Sequence, residues 1–160
     1  MACPYFMPVT KLENGNCPHP ARLPLGAGWS GHCTAPGHEG KTPGPEVLQE
    51  FCNLGYPGRC DWSPRERRCD AVRFAVLAPQ GRNEAADSAA VSERLPGGGS
   101  ARGALVLNYV CERDHKPTEH GNLEFDLTRA VWRRGHDDAR IQKMAECFLD
   151  SYLKRKERQA

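Results

Sequence analysis

The clearest pattern along the chain lies in its second half, where apolar and polar residues alternate at the period of a strand. Residues 71–78 (AVRFAVLA) set Val72, Phe74 and Val76 on one face, and residues 103–112 (GALVLNYVCE) do the same with Leu105, Leu107, Tyr109 and Cys111. A third stretch, 122–127 (NLEFDL), alternates Leu123, Phe125 and Leu127, while 113–121 (RDHKPTEHG) carries the Pro and Gly of a turn. This predicts a three-stranded antiparallel meander whose last two strands form a hairpin. The period then changes. From a cap at Asp137 or Asp138 to about Arg158, the residues Ile141, Met144, Ala145, Phe148 and Tyr152 recur on one side of a helix. Between the first two strands, residues 79–102 are polar and Gly-rich and read as a loop.

The first half has little of this regularity. Its one periodic stretch starts at Pro45, where a fixed φ suits a first helical position, with Glu46 at the positive end of the helix dipole. Val47, Leu48, Phe51 and Leu54 define an inward stripe, Cys52 lies one turn on from Leu48, and Gly55 suits the stop. Residues 1–64 hold 10 of the 13 prolines and 9 of the 16 glycines, so a core of regular elements is hard to build there. The same residues include Tyr5, Phe6, Trp29, Phe51, Tyr56 and Trp62, which a disordered linker would lack. Irregular backbone with aromatics calls for a staple.

Cysteine supplies the candidates. Of eight in the chain, Cys3, Cys17, Cys33, Cys52 and Cys60 fall in this half and Cys69 follows closely. The N-terminal residues have neither the basic start nor the apolar run of a secretory signal, and no window is apolar enough to span a membrane, so a cytoplasmic location is expected. In a reducing cytosol, cysteines serve as metal ligands, catalytic thiols or small buried hydrophobes rather than as disulfides. The formal charge of +2 gives no electrostatic case for nucleic acid.

No CxxC pair occurs, which removes the signature of zinc ribbons and bacterial ferredoxins. What remains is a set of separated cysteines in loops and at a helix end. A [4Fe–4S] cluster takes one thiolate per corner and can gather such residues more easily than one tetrahedral ion can. The expected ligands, for cofactor and metal alike, are Cys3, Cys33, Cys52 and Cys60, with Cys17 and Cys69 in reserve. Cys52 and Cys60 flank a Gly-containing turn (NLGYPGR), and Cys3 with Tyr5 and Phe6 can fold over the site. Cys111 and Cys147 continue apolar faces and read as core residues.

Other chemistry is weaker. Cys111, His115 and His120 have a C-x3-H-x4-H spacing that zinc accepts, although strand alternation sends Cys111 inward while the histidines fall in the turn. A nucleophilic pair of Cys33 with His32 or His38 lacks any surrounding protease signature. No carboxylate pair or His–Asp arrangement stands out, so no residue is assigned acid–base work.

The expected fold is therefore α+β. A loop-rich, metal-stapled portion, 1–69, packs on a three-stranded antiparallel sheet with a long C-terminal helix, 70–160, as one compact unit. The expected function is that of a small cytoplasmic iron–sulfur protein, in electron transfer, redox sensing or as an accessory subunit with a protein partner. The alternative is a zinc-stapled interaction module in which the metal only folds the loops.

Overall fold

A computed structural model of the chain describes residues 1–12, 23–55, 60–77 and 103–159. The loop expected at 79–102 lies outside these residues, as does Cys17. The elements in order are β1 (Phe6–Lys11), β2 (Trp29–Cys33), α1 (Pro45–Val47) running into a π-helical segment (Leu48–Asn53), β3 (Ala71–Leu77), β4 (Ala104–Arg113), β5 (Lys116–Asp126), β6 (Val131–Arg134) and α2 (Ala139–Glu157). The architecture is α+β, as expected, with two sheets rather than one.

The larger sheet is antiparallel in the order β3-β4-β5-β6, so it has four strands where the sequence pattern predicts three. The strand missed is β6, whose VWRR offers one apolar pair and then two charges, too short to alternate visibly. The hairpin turn is also tighter than expected. Asp114 and His115 both have positive φ (49° and 62°), and Arg113 pairs with Lys116, so β5 begins five residues before Gly121. Two central residues with φ > 0 are the requirement of a type I′ turn, which Asn-Gly normally announces and Asp-His does not. Pro117 is accommodated because the register shifts beside it, between Cys111 and Glu112.

The alternation itself holds. Val72 and Leu107 are fully buried, Phe74, Cys111 and Leu123 nearly so, and Leu105, Tyr109 and Phe125 pack on them. Leu127, placed inward by the pattern, is exposed because β5 ends at Asp126. Helix α2 covers this face with Ile141, Met144, Ala145 and Phe148, and Phe148 lies against Phe74 with ring centroids 5.8 Å apart. Its cap is Asp138, whose carboxylate accepts from the Arg140 N–H at 2.9 Å.

The smaller sheet pairs β1 with β2 antiparallel and was not legible in the pattern. A side chain at Gly31 would run into the Met7 carbonyl, so the close approach of the two strands requires glycine there. The single helix expected over 45–54 is regular only at its start. An extra residue in the π-helical segment shifts the inward face, so that Cys52 and Asn53 are buried and Leu54 is exposed. Gly55 stops it in the left-handed conformation (φ +68°), with Met1 packed where a Cβ would go.

One core joins both portions. Ala2, Cys3, Phe6, Trp29 and Cys52 belong to the same buried cluster as Val72, Leu107, Met144 and Phe148. Ala2 pairs with Val72, its N–H and carbonyl each bonded at 2.8 Å, which fixes the N-terminal segment against the first strand of the large sheet.

Candidate metal centre

Three short links bring the cysteine-bearing segments together. The Cys3 N–H donates to the Cys52 carbonyl at 3.2 Å, so the N-terminal segment is tied to the end of the π-helical segment. Cys33, the last residue of β2, is paired with Phe6 in β1. Next to it, the Thr34 N–H and hydroxyl both donate to the Tyr5 carbonyl, at 2.8 and 2.9 Å. Asn53 completes the frame. Its amide oxygen accepts from the Trp29 N–H at 2.9 Å, and its nitrogen donates to the carbonyls of Trp29 and Leu48 at 3.0 Å. A buried side chain thus does for β2 what a neighbouring strand would do.

The result is one cavity of about 10 Å³ walled by Cys3, Cys33, Cys52 and Cys60 together with Tyr5, Phe6, Phe51 and Trp62. That volume is about one water. All four cysteines expected from the sequence to act together face it, and every pair among the four thiols lies within electrostatic reach. Of the two reserves, Cys69 lies elsewhere, on a second cavity. Among the described residues, no three His, Cys, Asp or Glu side chains are grouped tightly enough to grip a single metal ion. The four thiols surround a space; they do not converge on a point.

Burial dominates their electrostatics. It pushes the Cys3 thiol up to about 12, against N–H donation from the Tyr5 and Phe6 backbone, and it raises Cys52 and Cys33 as well. Cys33 is also opposed by backbone donors, the Ala35 N–H lying 3.4 Å from its sulfur. Thiols in this state are neutral, so a metal that takes them as thiolates releases protons on binding. Amides aimed at sulfur favour the charged form and, in a sulfur-ligated centre, tune its potential.

The remaining sequence candidates do not assemble. Cys111 is buried while His115 and His120 are exposed, and His120 sits within β5 rather than in a turn. His38 stacks on Trp62 (centroids 5.0 Å, 13° between planes) with its Nδ1 facing the Lys41 ammonium at 3.4 Å, and His32 is paired with Met7 in the β1–β2 ladder.

The second cavity, of about 70 Å³, adds Glu119, His136 and Arg140, to which the sequence pattern gives no role. Cys69 and Cys111 share it with Glu119, His136, Asp138 and Arg140. Only register could have signalled it: Cys111 stands opposite Val72, three residues past Cys69. No helix among the described residues is long and apolar enough to cross a membrane. No family model, curated protein or solved structure matches the chain.

Proposed function

We propose that the chain is a small iron–sulfur protein that holds a [4Fe–4S] cluster through Cys3, Cys33, Cys52 and Cys60. It serves electron transfer or redox sensing, alone or as an accessory subunit on a protein partner. The observation that carries this reading is the shared cavity, to which four cysteines from four separate segments contribute. A cluster of this kind supplies one-electron chemistry when bound, at a potential set by hydrogen bonds to sulfur and by solvent exposure.

The chain's own residues provide both controls. Backbone donors at Tyr5, Phe6 and Ala35 point at two of the sulfurs, while Phe51, Trp62 and Val47 give the space between them apolar walls. Because the open volume is small, the thiols must move outward to accept a cluster. Cys60 is free to do so: it is half-buried and bonded by its carbonyl to the Ser63 N–H in a turn of its own. Zinc is the second reading. A tetrahedral site needs four donors converging at about 2.3 Å, a tighter arrangement than a cluster, which meets each sulfur at a separate iron.

Protein purified without oxygen and assayed for iron, acid-labile sulfide and zinc decides between them. The expected result is a brown protein with a broad absorption near ~400 nm, since d¹⁰ zinc is colourless. Cys52→Ser and Cys33→Ser should each lower iron and sulfide together, whereas Cys147→Ser, on α2, should leave both unchanged. Iron-free protein, or equal iron in all variants, overturns the assignment.

A further inference from the structure

The second cavity carries chemistry that the iron–sulfur reading does not use. Cys69 lies just before β3, and the Asp70 N–H donates to the Glu112 carbonyl, which carries the β3–β4 pairing one residue beyond the strand. That bond joins the residue after Cys69 to the residue after Cys111, so the two thiols share one cavity wall and lie within electrostatic reach of each other. Both face the 70 Å³ cavity, which has room for several waters. The two differ in access: Cys69 is 8% exposed and Cys111 2%.

The surroundings are polar and ordered. The His136 Nδ1 accepts from the Asp138 N–H at 2.9 Å, which leaves Nε2 to face Glu119 at 3.5 Å. The Tyr109 hydroxyl donates to the same carboxylate at 3.2 Å. Arg140 lies over the Tyr5 ring, which also walls the four-cysteine cavity.

We propose that Cys69 and Cys111 are a redox-active dithiol that exchanges with a low-molecular-weight disulfide entering this cavity. Cys69, the more exposed of the two residues, attacks one sulfur of the substrate R–S–S–R, forming a mixed disulfide and releasing one RS⁻. Cys111 then loses its proton to that thiolate and attacks the Cys69 sulfur, which closes the Cys69–Cys111 bond and expels the second RS⁻. The thiol proton of Cys69 accounts for the second RSH. In sum, two thiols and R–S–S–R become one intramolecular disulfide and two RSH, with two electrons and two protons passing to the substrate. The proton inventory agrees with these roles. The neighbouring Cys111 thiol holds Cys69 below the usual thiol range, and Cys69, with burial behind it, raises Cys111.

The proposal stands apart from the iron–sulfur assignment, and its test keeps the two distinct. Purified protein, kept without oxygen, is incubated with 2-hydroxyethyl disulfide or with oxidised glutathione, alkylated, digested without reductant and analysed by mass spectrometry. The expected product is one linked peptide pair joining Cys69 to Cys111, with two thiols released per chain. Cys111→Ser should stop at a mixed disulfide on Cys69, and Cys69→Ser should leave Cys111 unmodified. Both variants should keep the iron and sulfide of the parent protein. Reaction at Cys111 ahead of Cys69, or no reaction at either until denaturant is added, overturns the proposal. If a variant fails to fold, the parent protein's linked peptide decides alone, and it does so whether or not iron is present.

Discussion

Asn53 is the residue on which the geometry of the four-cysteine site can be tested by stability alone. It is 2% exposed and makes three hydrogen bonds, two of them to the backbone of Trp29 at the start of β2 and one to Leu48. Asn53→Ala removes all three and leaves the Trp29 N–H and carbonyl without partners in a buried setting. An abandoned buried group costs about 1–3 kcal/mol, so two of them, partly relieved by water, predict a loss of about 3 kcal/mol. That is about a hundredfold in the folding equilibrium. Urea unfolding followed by tryptophan fluorescence and by circular dichroism reads it as a lower midpoint at unchanged slope. Asn53→Asp sharpens the argument, because the carboxylate still accepts from Trp29 but now meets two carbonyls. Its pKa should rise above the unfolded value of about 3.9. A carboxyl raised in the folded state is favoured when protonated, so this variant should regain stability as pH falls toward 4, relative to Asn53→Ala. Because Asn53 follows Cys52 directly, the iron–sulfur assignment proposed above predicts that both substitutions also speed iron loss. A change below about 0.5 kcal/mol in Asn53→Ala, typical of surface positions, would refute the claim that this side chain holds β2 to the cysteine-bearing segment.

Three further outcomes are expected. Met144→Ala, at a fully buried position on α2, should cost about 3 kcal/mol in urea unfolding with iron content unaffected. Asp138 is held down to about 2, first by the hydrogen bond from the Arg140 guanidinium and against its own burial. A depressed carboxylate stabilises the fold above its unfolded pKa and stops doing so as pH falls through the folded one. Thermal melts between pH 4 and 2 should therefore drop less steeply in Asp138→Asn, which keeps the cap and loses the charge. Gly31→Ala should break the β1–β2 pairing, because its Cβ would stand 2.0 Å from the Met7 carbonyl oxygen. Hydrogen exchange should then quicken at β1 and β2 while β3 to β5 stay protected.

What the chain reveals by pattern follows from how each element is stabilised. Helix α2 has a carboxylate cap, 19 residues and a continuous apolar stripe, so local chemistry and burial agree, and its limits are readable to within a residue. The inward faces of β3 and β4 are readable for the same reason. Strands β1 and β2 are not, because Pro8, Ser30 and Gly31 interrupt any alternation and their pairing depends on contacts made elsewhere, at Asn53 and Thr34. The gathering of Cys3, Cys33, Cys52 and Cys60 was legible only as a need: an apolar-poor, Pro-rich half with aromatics to bury and thiols to spare. The Cys69–Cys111 contact had no local signal at all. Cys111 looks like the next apolar residue of a strand, and nothing in RRCDAV shows that Asp70 bonds to Glu112 and so sets Cys69 near it.

Cys147 gives the comparison against which the other thiols should be judged. It is 3% exposed on α2, and burial, opposed by the charges of Lys143 and Lys11 and aided by those of Glu146 and Asp150, pushes its thiol up to about 12. That is how a cysteine behaves as a small hydrophobe. Cys3 and Cys33 are buried to a similar extent, yet each has backbone N–H groups directed at its sulfur and three other thiols nearby. Packing needs neither feature. Cys69 departs further, since a second thiol beside it in a polar cavity lowers its pKa despite its burial. Environment therefore sorts the described cysteines into three kinds. On the proposed iron–sulfur assignment, a thiol reagent applied to the folded protein should follow the same order: Cys69 first, the four shared thiols only once the cluster is removed, and Cys147 only on unfolding.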